Sequence, residues 1–340
     1  MTNNGNMVRE LEHVLREYLK LPYLCLLNNG TTALMVALKA MGLKGEVITT
    51  PFTFPATVHA ISWLGLEPVF CDVDPDTMML CPESVEHAIG PNTSAILGVH
   101  LFGCVCDVEA LESLGRQYHL KVIFDAAHSF CTQIDDRPIG MFGDATMFSL
   151  HATKLFHTAE GGALAVKDAE LERHIIEIRN FGILDEYQVG ALGINAKMNE
   201  LQAAFGLEIL PLIADEIERR KTVRTEYQKR LSDIPGVALV NPPQNVFNNQ
   251  QFLTVRISKN SPIGSAEDVC SRLRKERIHA RRYFRPLVSQ YAHYRNLPSA
   301  APANLPAAYK VSEESLCLPF FGNLSEAQIK FVCDVFKGLY

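Results

Sequence analysis

The chain has 340 residues, 47% of them hydrophobic, which is enough to bury a sizeable core and to form about two domains. Its formal net charge of −6 and the lack of any long basic run exclude a nucleic acid or an anionic membrane surface as the expected partner. Nine cysteines without paired CxxC spacing read as the reduced thiols of a cytoplasmic protein, not as a disulfide framework or a metal site.

The start, MTNNGNMVRELE, is polar and is not expected to be a secretory signal, and no apolar run approaches the roughly 20 residues of a membrane span. Residues 7–19 place Val8, Leu11, Val14, Leu15 and Leu19 on one face of a helix. A strand-like run over 23–27 then leads through Asn28, Asn29, Gly30, Thr31 and Thr32 into a helical pattern over 33–41. Gly30 permits close backbone approach, and a helix start exposes N–H groups of partial positive charge. This turn is therefore either a phosphate seat or ordinary capping chemistry. From Glu46 onward strand and helix patterns alternate: 47–50 and 56–64, 68–72 and 82–89, 94–99 and 108–119, then 121–124 ending in Asp125. That rhythm predicts an α/β fold, a mostly parallel sheet with helices on both faces, and ligands beyond the carboxyl ends of the strands. Three candidates fall there: the Gly30 and Thr31 turn, Phe52 to Phe54, and Asp125 to His128. Asp125 is either a helix N-cap or the charge partner of a protonated heteroaromatic nitrogen.

The stretch 148–163, FSLHATKLFHTAEGGA, presents Lys154 after the apolar run 145–150 and before the Gly161 and Gly162 pair. An amine held on a short rigid connection with its charge partly suppressed can form a Schiff base, whereas an isolated loop lysine is a solvated charge. Beyond it, 162–166 reads as a strand and 171–179 as an amphipathic helix, followed by a loop over 190–195. Helical periodicity over 197–231 is interrupted by Pro211, which predicts a kinked or broken helix linking two domains, 1–213 and 214–340. Strands are expected at 237–239, 252–257 and 278–281, helices at 266–276 and 325–336, and an ordered loop or flexible lid over the Pro-rich 297–306. A lysine for an imine, an aspartate for a pyridinium and a Gly-Thr turn with Ser149 for a phosphate are together what pyridoxal 5′-phosphate (PLP) requires.

The chain resembles the DegT/DnrJ/EryC1/StrS family of PLP-dependent sugar aminotransferases over nearly its whole length. The matching segments are TNNGNMVRELE, NNGTTAL, PFTFPATV, PVFCDVD, IFDAAHSF, FSLHATKLFHTAEGGA, RNFGI, NAKMNELQAA and LPFFGNLSEAQ. The resemblance implies an aspartate aminotransferase-like architecture (PLP fold type I), with a large PLP-binding domain over 1–213 and a smaller C-terminal α/β domain over 214–340. It implies that Lys154 carries the cofactor as a Schiff base and shuttles the proton, and that Asp125 pairs with the pyridine nitrogen. His128, where many members carry Gln, would lie near the ring hydroxyl; Gly30, Thr31 and Ser149 would hold the phosphate. Phe54 would stack on the ring or is simply a core aromatic. Asn195 would reach the phosphate from a neighbouring subunit, making a homodimer with shared sites, or only cap the following helix.

His151 would line the substrate side. Arg179 and the set Arg281, Arg282 and Arg285 would meet anionic groups of a nucleotide or of the amino donor, or stand as solvated charges. The implied reaction moves an amino group from glutamate to a nucleotide-linked keto-deoxy sugar, with no metal. The HATK and RNFGI segments most resemble members that aminate dTDP-4-keto-6-deoxyglucose for O-antigen synthesis. A PLP-dependent dehydratase or lyase is the alternative, disfavoured by Lys154, since some dehydrating relatives have His there; a non-catalytic regulatory relative is another. The chain begins almost directly at TNNG, so substrate contacts made upstream in relatives are expected either to be unavailable or to come from elsewhere.

Overall fold

The apolar runs between Tyr23 and Val166 are short, rich in Val, Ile and Leu and separated by amphipathic helices, as strands buried on both faces must be. In the computed structural model, which describes residues 4–339, they form one seven-stranded sheet; Thr2 and Asn3 of the TNNG motif lie outside the described residues. The strands are β1 (Tyr23–Leu27), β2 (Glu46–Thr49), β3 (Glu67–Phe70), β4 (Thr93–Val99), β5 (Lys121–Asp125) and, after the two-residue β6 (Gln133–Ile134) and β7 (Arg137–Pro138), β8 (Ala145–Ser149) and β9 (Gly162–Val166). Their order is β1-β9-β8-β5-β4-β2-β3. Every pairing from β8 to β3 is parallel, and β9 runs antiparallel to both β1 and β8. The sheet is therefore mostly parallel, and the carboxyl ends of β4, β5 and β8 finish side by side.

Strand alternation divides the apolar side chains between two cores. Leu26, Ile48, Ile96, Phe124 and Phe148 face one, while Leu27, Val47, Leu97, Ile123 and Met147 face the other. Helices α1 (Asn6–Tyr18), α2 (Gly30–Ala40), α3 (Pro55–Trp63), α4 (Pro82–Ala88), α5 (Val108–Tyr118) and α6 (Ala169–Ile178) supply the covering layers. Pro211 breaks the long helix as its missing N–H requires: α7 (Glu200–Ile209) passes through a 3₁₀ turn, Leu210–Leu212, into α8 (Ile213–Leu231). Beyond it β10 (Val237–Leu239), β12 (Thr254–Ile257) and β13 (Ser315–Cys317) form an antiparallel sheet, whereas β11 (Val246–Phe247) pairs with β6. This second sheet shares a third core with α8, α9 (Ala266–Lys275) and α11 (Glu326–Lys337), built on Tyr227, Leu253, Leu273 and Phe336. Phe284, Leu287, Leu305 and Val311 join the first core instead.

Two segments differ from the sequence reading. Residues 278–281 form no strand; the amide of Ile278 turns back to Leu273 O at 2.9 Å to close α9, leaving only an isolated bridge between Arg281 and Cys317. The Pro-rich 297–306 is an ordered connection of two 3₁₀ turns leading into α10 (Pro306–Glu314), a helix the sequence reading missed. The amides of Ala307 and Ala308 donate to the Asp72 carboxylate at 2.9 and 2.7 Å, which anchors that segment and removes the lid reading.

Arg179 also requires correction. β1 is an edge strand, and its outward peptide at Leu26 is closed by two charged side chains. Glu12 of α1 accepts the Leu26 N–H at 2.8 Å, and Arg179, directly after α6, donates to Leu26 O at 2.8 Å and to Glu12 itself. Arg179 is 4% exposed, and its guanidinium is spent on holding this edge, away from solvent. The end of an amphipathic helix promised an exposed arginine, and nothing local in the sequence announced a carboxylate 167 positions away. Arg179→Met would leave Glu12 without its partner and is expected to lower the unfolding free energy in urea by about 3 kcal/mol, with Glu12→Gln in the same chain restoring part of the loss. A loss under about 0.5 kcal/mol would mean the pair contributes no more than a surface ion pair.

Candidate active site

The β1–α2 turn is built to expose amides. Asn29 caps α2, its Oδ1 accepting from Thr32 N at 2.8 Å and Thr32 Oγ1 at 2.9 Å. Gly30 and Thr31 carry the first amides of the helix, which have no acceptor within it and sit at the positive end of its dipole. A Cβ on Gly30 would lie 3.2 Å from Met147 Sδ and 3.3 Å from Ser149 Cβ, and one on Gly162 would lie 2.4 Å from Asn29 O. The two glycines thus let the helix start rest against the ends of β8 and β9, which places Ser149 beside the free amides. This cradle fits a phosphate.

Asp125 ends β5 with its carboxylate buried. Thr57 Oγ1 donates to Oδ2 at 2.8 Å and Ala127 N to Oδ1 at 3.0 Å, and Thr57 is itself bonded to Thr53 at 2.8 Å. Burial pushes this carboxyl above the ordinary range, against the pull of those two bonds and of Lys154. Asp125 therefore has reason to accept a further cationic partner, as a protonated ring nitrogen would be.

Lys154 stands in a loop cinched by its own backbone. Leu150 N donates to Gly161 O at 2.8 Å, Thr158 N to Leu150 O at 2.9 Å, and Lys154 N to His151 O at 2.8 Å. Burial brings its amine down to about 8, opposed by Asp125, so the solvated-loop reading does not apply. His128 is buried against Phe252, ring centroids 4.3 Å apart, and its Nδ1 has no partner. Burial holds its pKa well down, so the ring is neutral.

Gly30, Thr31, Phe54, Asp125, His128, Ser149, His151 and Lys154 line one cavity of about 410 Å³. Eight residues from four separate motifs thus meet in one cavity. Phe54 is 58% exposed at the cavity mouth, not a core aromatic. His151 is half-exposed, with Nδ1 2.9 Å from Thr153 Oγ1 and Nε2 3.8 Å from Glu160 Oε2. Arg281 and Arg285 lie outside it, in an adjoining hollow of about 540 Å³ that also holds Arg274 and shares Phe54, Tyr283 and Phe284 with the first. Arg282 is occupied by Glu267 and by the carbonyls of Ser312 and Glu313. Asn195 is exposed, bridged through its backbone to Asn180, and lines neither hollow.

The sequence reading missed the polar groups behind the walls. Thr57 stands four residues after Thr53 within PFTFPATV, one helical turn away, a spacing that could have paired them. Asn248 to Gln251 are four amide side chains in a row, all buried, immediately before the apolar run of β12. Such a run is the signal of a polar network, since a mere surface loop would leave it exposed.

The sequence model of the DegT/DnrJ/EryC1/StrS aminotransferase family matches residues 1–337. The chain is 38% identical over 338 residues to the dTDP-4-amino-4,6-dideoxy-D-glucose transaminase of Shigella dysenteriae, covering 99% of this chain and 91% of that protein. It is 40% identical over 339 residues to the Escherichia coli protein of the same name, with the same shares. Among solved structures, DesI in the presence of its TDP-sugar product superposes with a TM-score of 0.94 at 37% identity, over 99% of this chain and 85% of that one. The cradle, the buried carboxylate and the charge-suppressed lysine are thus accounted for together: the chain belongs to the DegT/DnrJ/EryC1/StrS aminotransferase family, whose cofactor is pyridoxal 5′-phosphate.

Proposed function

We propose that this aminotransferase moves an amino group from glutamate to the keto carbon of dTDP-4-keto-6-deoxy-D-glucose. The product, dTDP-4-amino-4,6-dideoxyglucose, would serve O-antigen or another surface polysaccharide or glycoside. The observation that carries the reading is the shared cavity in which Lys154 and Asp125 lie above the amide start of α2. PLP, when bound, supplies an electron sink for charge developing at the carbon that bears the amino group. The Gly30 and Thr31 amides and the Ser149 hydroxyl would anchor its phosphate. Asp125 would hold its ring nitrogen protonated, and neutral His128 would serve its hydroxyl. Phe54 covers the mouth and keeps water from the reacting atoms. Lys154 Nζ, drawn toward neutrality by burial, takes the proton from Cα of glutamate and, in the second half-reaction, delivers one to the sugar carbon.

In this reading residues 1–213 bind the cofactor, 214–340 form the smaller domain, and Asn195 serves the site of a second copy. Supporting the homodimer is the exposure of Tyr187, Val189, Leu192 and Leu201 around Asn195, apolar surface that a monomer seldom leaves bare. A cytoplasmic setting is consistent with nine free cysteines. No helix among the described residues is long and apolar enough to cross a membrane.

Four experiments test this reading. Purified protein with PLP should show a visible absorbance band that glutamate shifts to shorter wavelength, and Lys154→Ala should show neither. Turnover of a UDP- or GDP-linked keto sugar with none of dTDP-4-keto-6-deoxyglucose would overturn the substrate assignment. The amine attacks only when neutral, and its neutral fraction grows as pH rises through its pKa. PLP uptake by cofactor-free protein should therefore quicken with pH and level off above about 8, and a plateau reached only near the ordinary lysine value of 10.5 would contradict the buried amine. Arg281→Met should raise KM for the nucleotide sugar about tenfold while glutamate-driven bleaching of the band keeps its rate. Slower bleaching would instead assign Arg281 to the donor carboxylate.

A further inference from the structure

Asn248, Asn249, Gln250 and Gln251 are 7%, 0%, 7% and 5% exposed. Buried amides are expensive unless bonded, and two of these four are bonded to the walls of the cofactor cavity. Asn249 Nδ2 donates to His128 O at 3.0 Å and Phe130 O at 2.9 Å, while its Oδ1 accepts the Gln251 N–H at 3.1 Å. Both donors of that amide are used, which fixes its orientation. Gln251 Oε1 accepts the Leu155 N–H at 3.2 Å, and its Nε2 donates to Ala127 O at 3.4 Å.

These two partners matter because of what adjoins them. Leu155 directly follows Lys154, and the Ala127 amide is the one that holds Asp125 Oδ1 at 3.0 Å. The segment is tied from behind as well. Arg220 of α8 donates to the carbonyls of Gln250 at 3.4 Å and Gln251 at 3.3 Å, and is itself paired with Glu216 at 2.6 Å.

We propose that Gln251 is a positioning residue for the transamination: its single amide joins the residue after Lys154 to the residue that holds Asp125, and so sets the distance across which lysine and aspartate act. Asn249 fixes the carbonyls of the loop after β5 against the same segment. A group displaced by about 1 Å can lose about 100-fold in rate, which is the scale on which such a brace acts. The inference rests on the family's use of Lys154 and Asp125 toward the cofactor, but not on the identity of the sugar.

Gln251→Met has similar length and no amide. In cofactor-free protein, the pH dependence of Lys154 acylation by an amine-reactive reagent, read by peptide mass spectrometry, reports how far the ammonium is kept from water. The variant should keep the wild-type far-UV circular dichroism, while the acylation midpoint rises by about half a pH unit or more as water reaches the loosened loop. PLP affinity should fall about tenfold. A folded variant with the wild-type midpoint and wild-type PLP affinity would overturn the proposal, because a merely structural amide would lower stability and leave both unchanged. Should the variant not fold, amide hydrogen exchange in the wild-type protein decides. Protection of the Leu155 amide supports the brace, and exchange at the rate of an open loop overturns it. A protein that binds PLP and aminates no dTDP sugar would refute the substrate reading and leave this one intact.

Discussion

The site depends on an ammonium and a carboxylate removed from water into one cavity. Desolvation works against both charges, drawing Lys154 down and Asp125 up, while each charge favours the other. Desolvation outweighs the attraction at the lysine and leaves its proton weakly held, and a weakly held proton is what an amine needs if it is to attack a carbonyl carbon and later relay a proton. A fully solvated pair would hold its charges too firmly, and an apolar pocket without Thr57 and the Ala127 amide would neutralise the carboxyl outright. The polar shell around Asp125 is therefore part of the chemistry.

The fold provides this balance through the direction of its strands. Because β4, β5 and β8 run parallel, their carboxyl ends finish along one edge of the sheet, and side chains at positions distant in sequence meet there without long loops. The antiparallel return of β9 does something further. It brings Gly162 beside Asn29 and Gly30, so the hairpin that carries Lys154 ends against the helix start whose free amides could receive a phosphate. The lysine and the cradle are thus coupled through two glycines: a side chain at Gly162 would drive into the Asn29 backbone, and one at Gly30 would press on Met147 and Ser149.

How much of this was legible follows from the range of the interactions. The strand and helix rhythm is local, so the sheet could be read from periodicity, and Pro211 broke the long helix for a reason contained in one residue. The site motifs could be read because each sits at a strand end, where the chemistry of an exposed amide, a buried acid or a presented amine is set by its immediate neighbours. Arg179 could not be placed, since its partner Glu12 and its acceptor Leu26 lie more than 150 positions away. Gln251 was missed for the same reason: its partners, Ala127 and Leu155, are 124 and 96 positions distant. Residues 278–281 look like a strand because Ile278 and Ala280 alternate with polar neighbours, yet a single backward hydrogen bond closes them into a helix terminus.

The division between deep and exposed groups separates two tasks. Asp125, His128 and the braces behind them are buried and bonded or packed tightly, so they have little freedom to adapt to different ligands. Phe54, His151, Glu160 and Arg281 are exposed and sit on loops or helix starts, where a change of side chain disturbs no core. Reaction type is a property of the first group, because it requires fixed distances and suppressed charge. Under the proposed function, sugar and nucleotide preference would then reside in the second group. The aromatic wall of Tyr283 and Phe284 marks the boundary, with reacting atoms on one side and a hollow lined by Arg274, Arg281 and Arg285 on the other. A substrate that carries its charge several bonds from its ketone matches that separation, because arginines placed any closer would compete with Lys154 for Asp125.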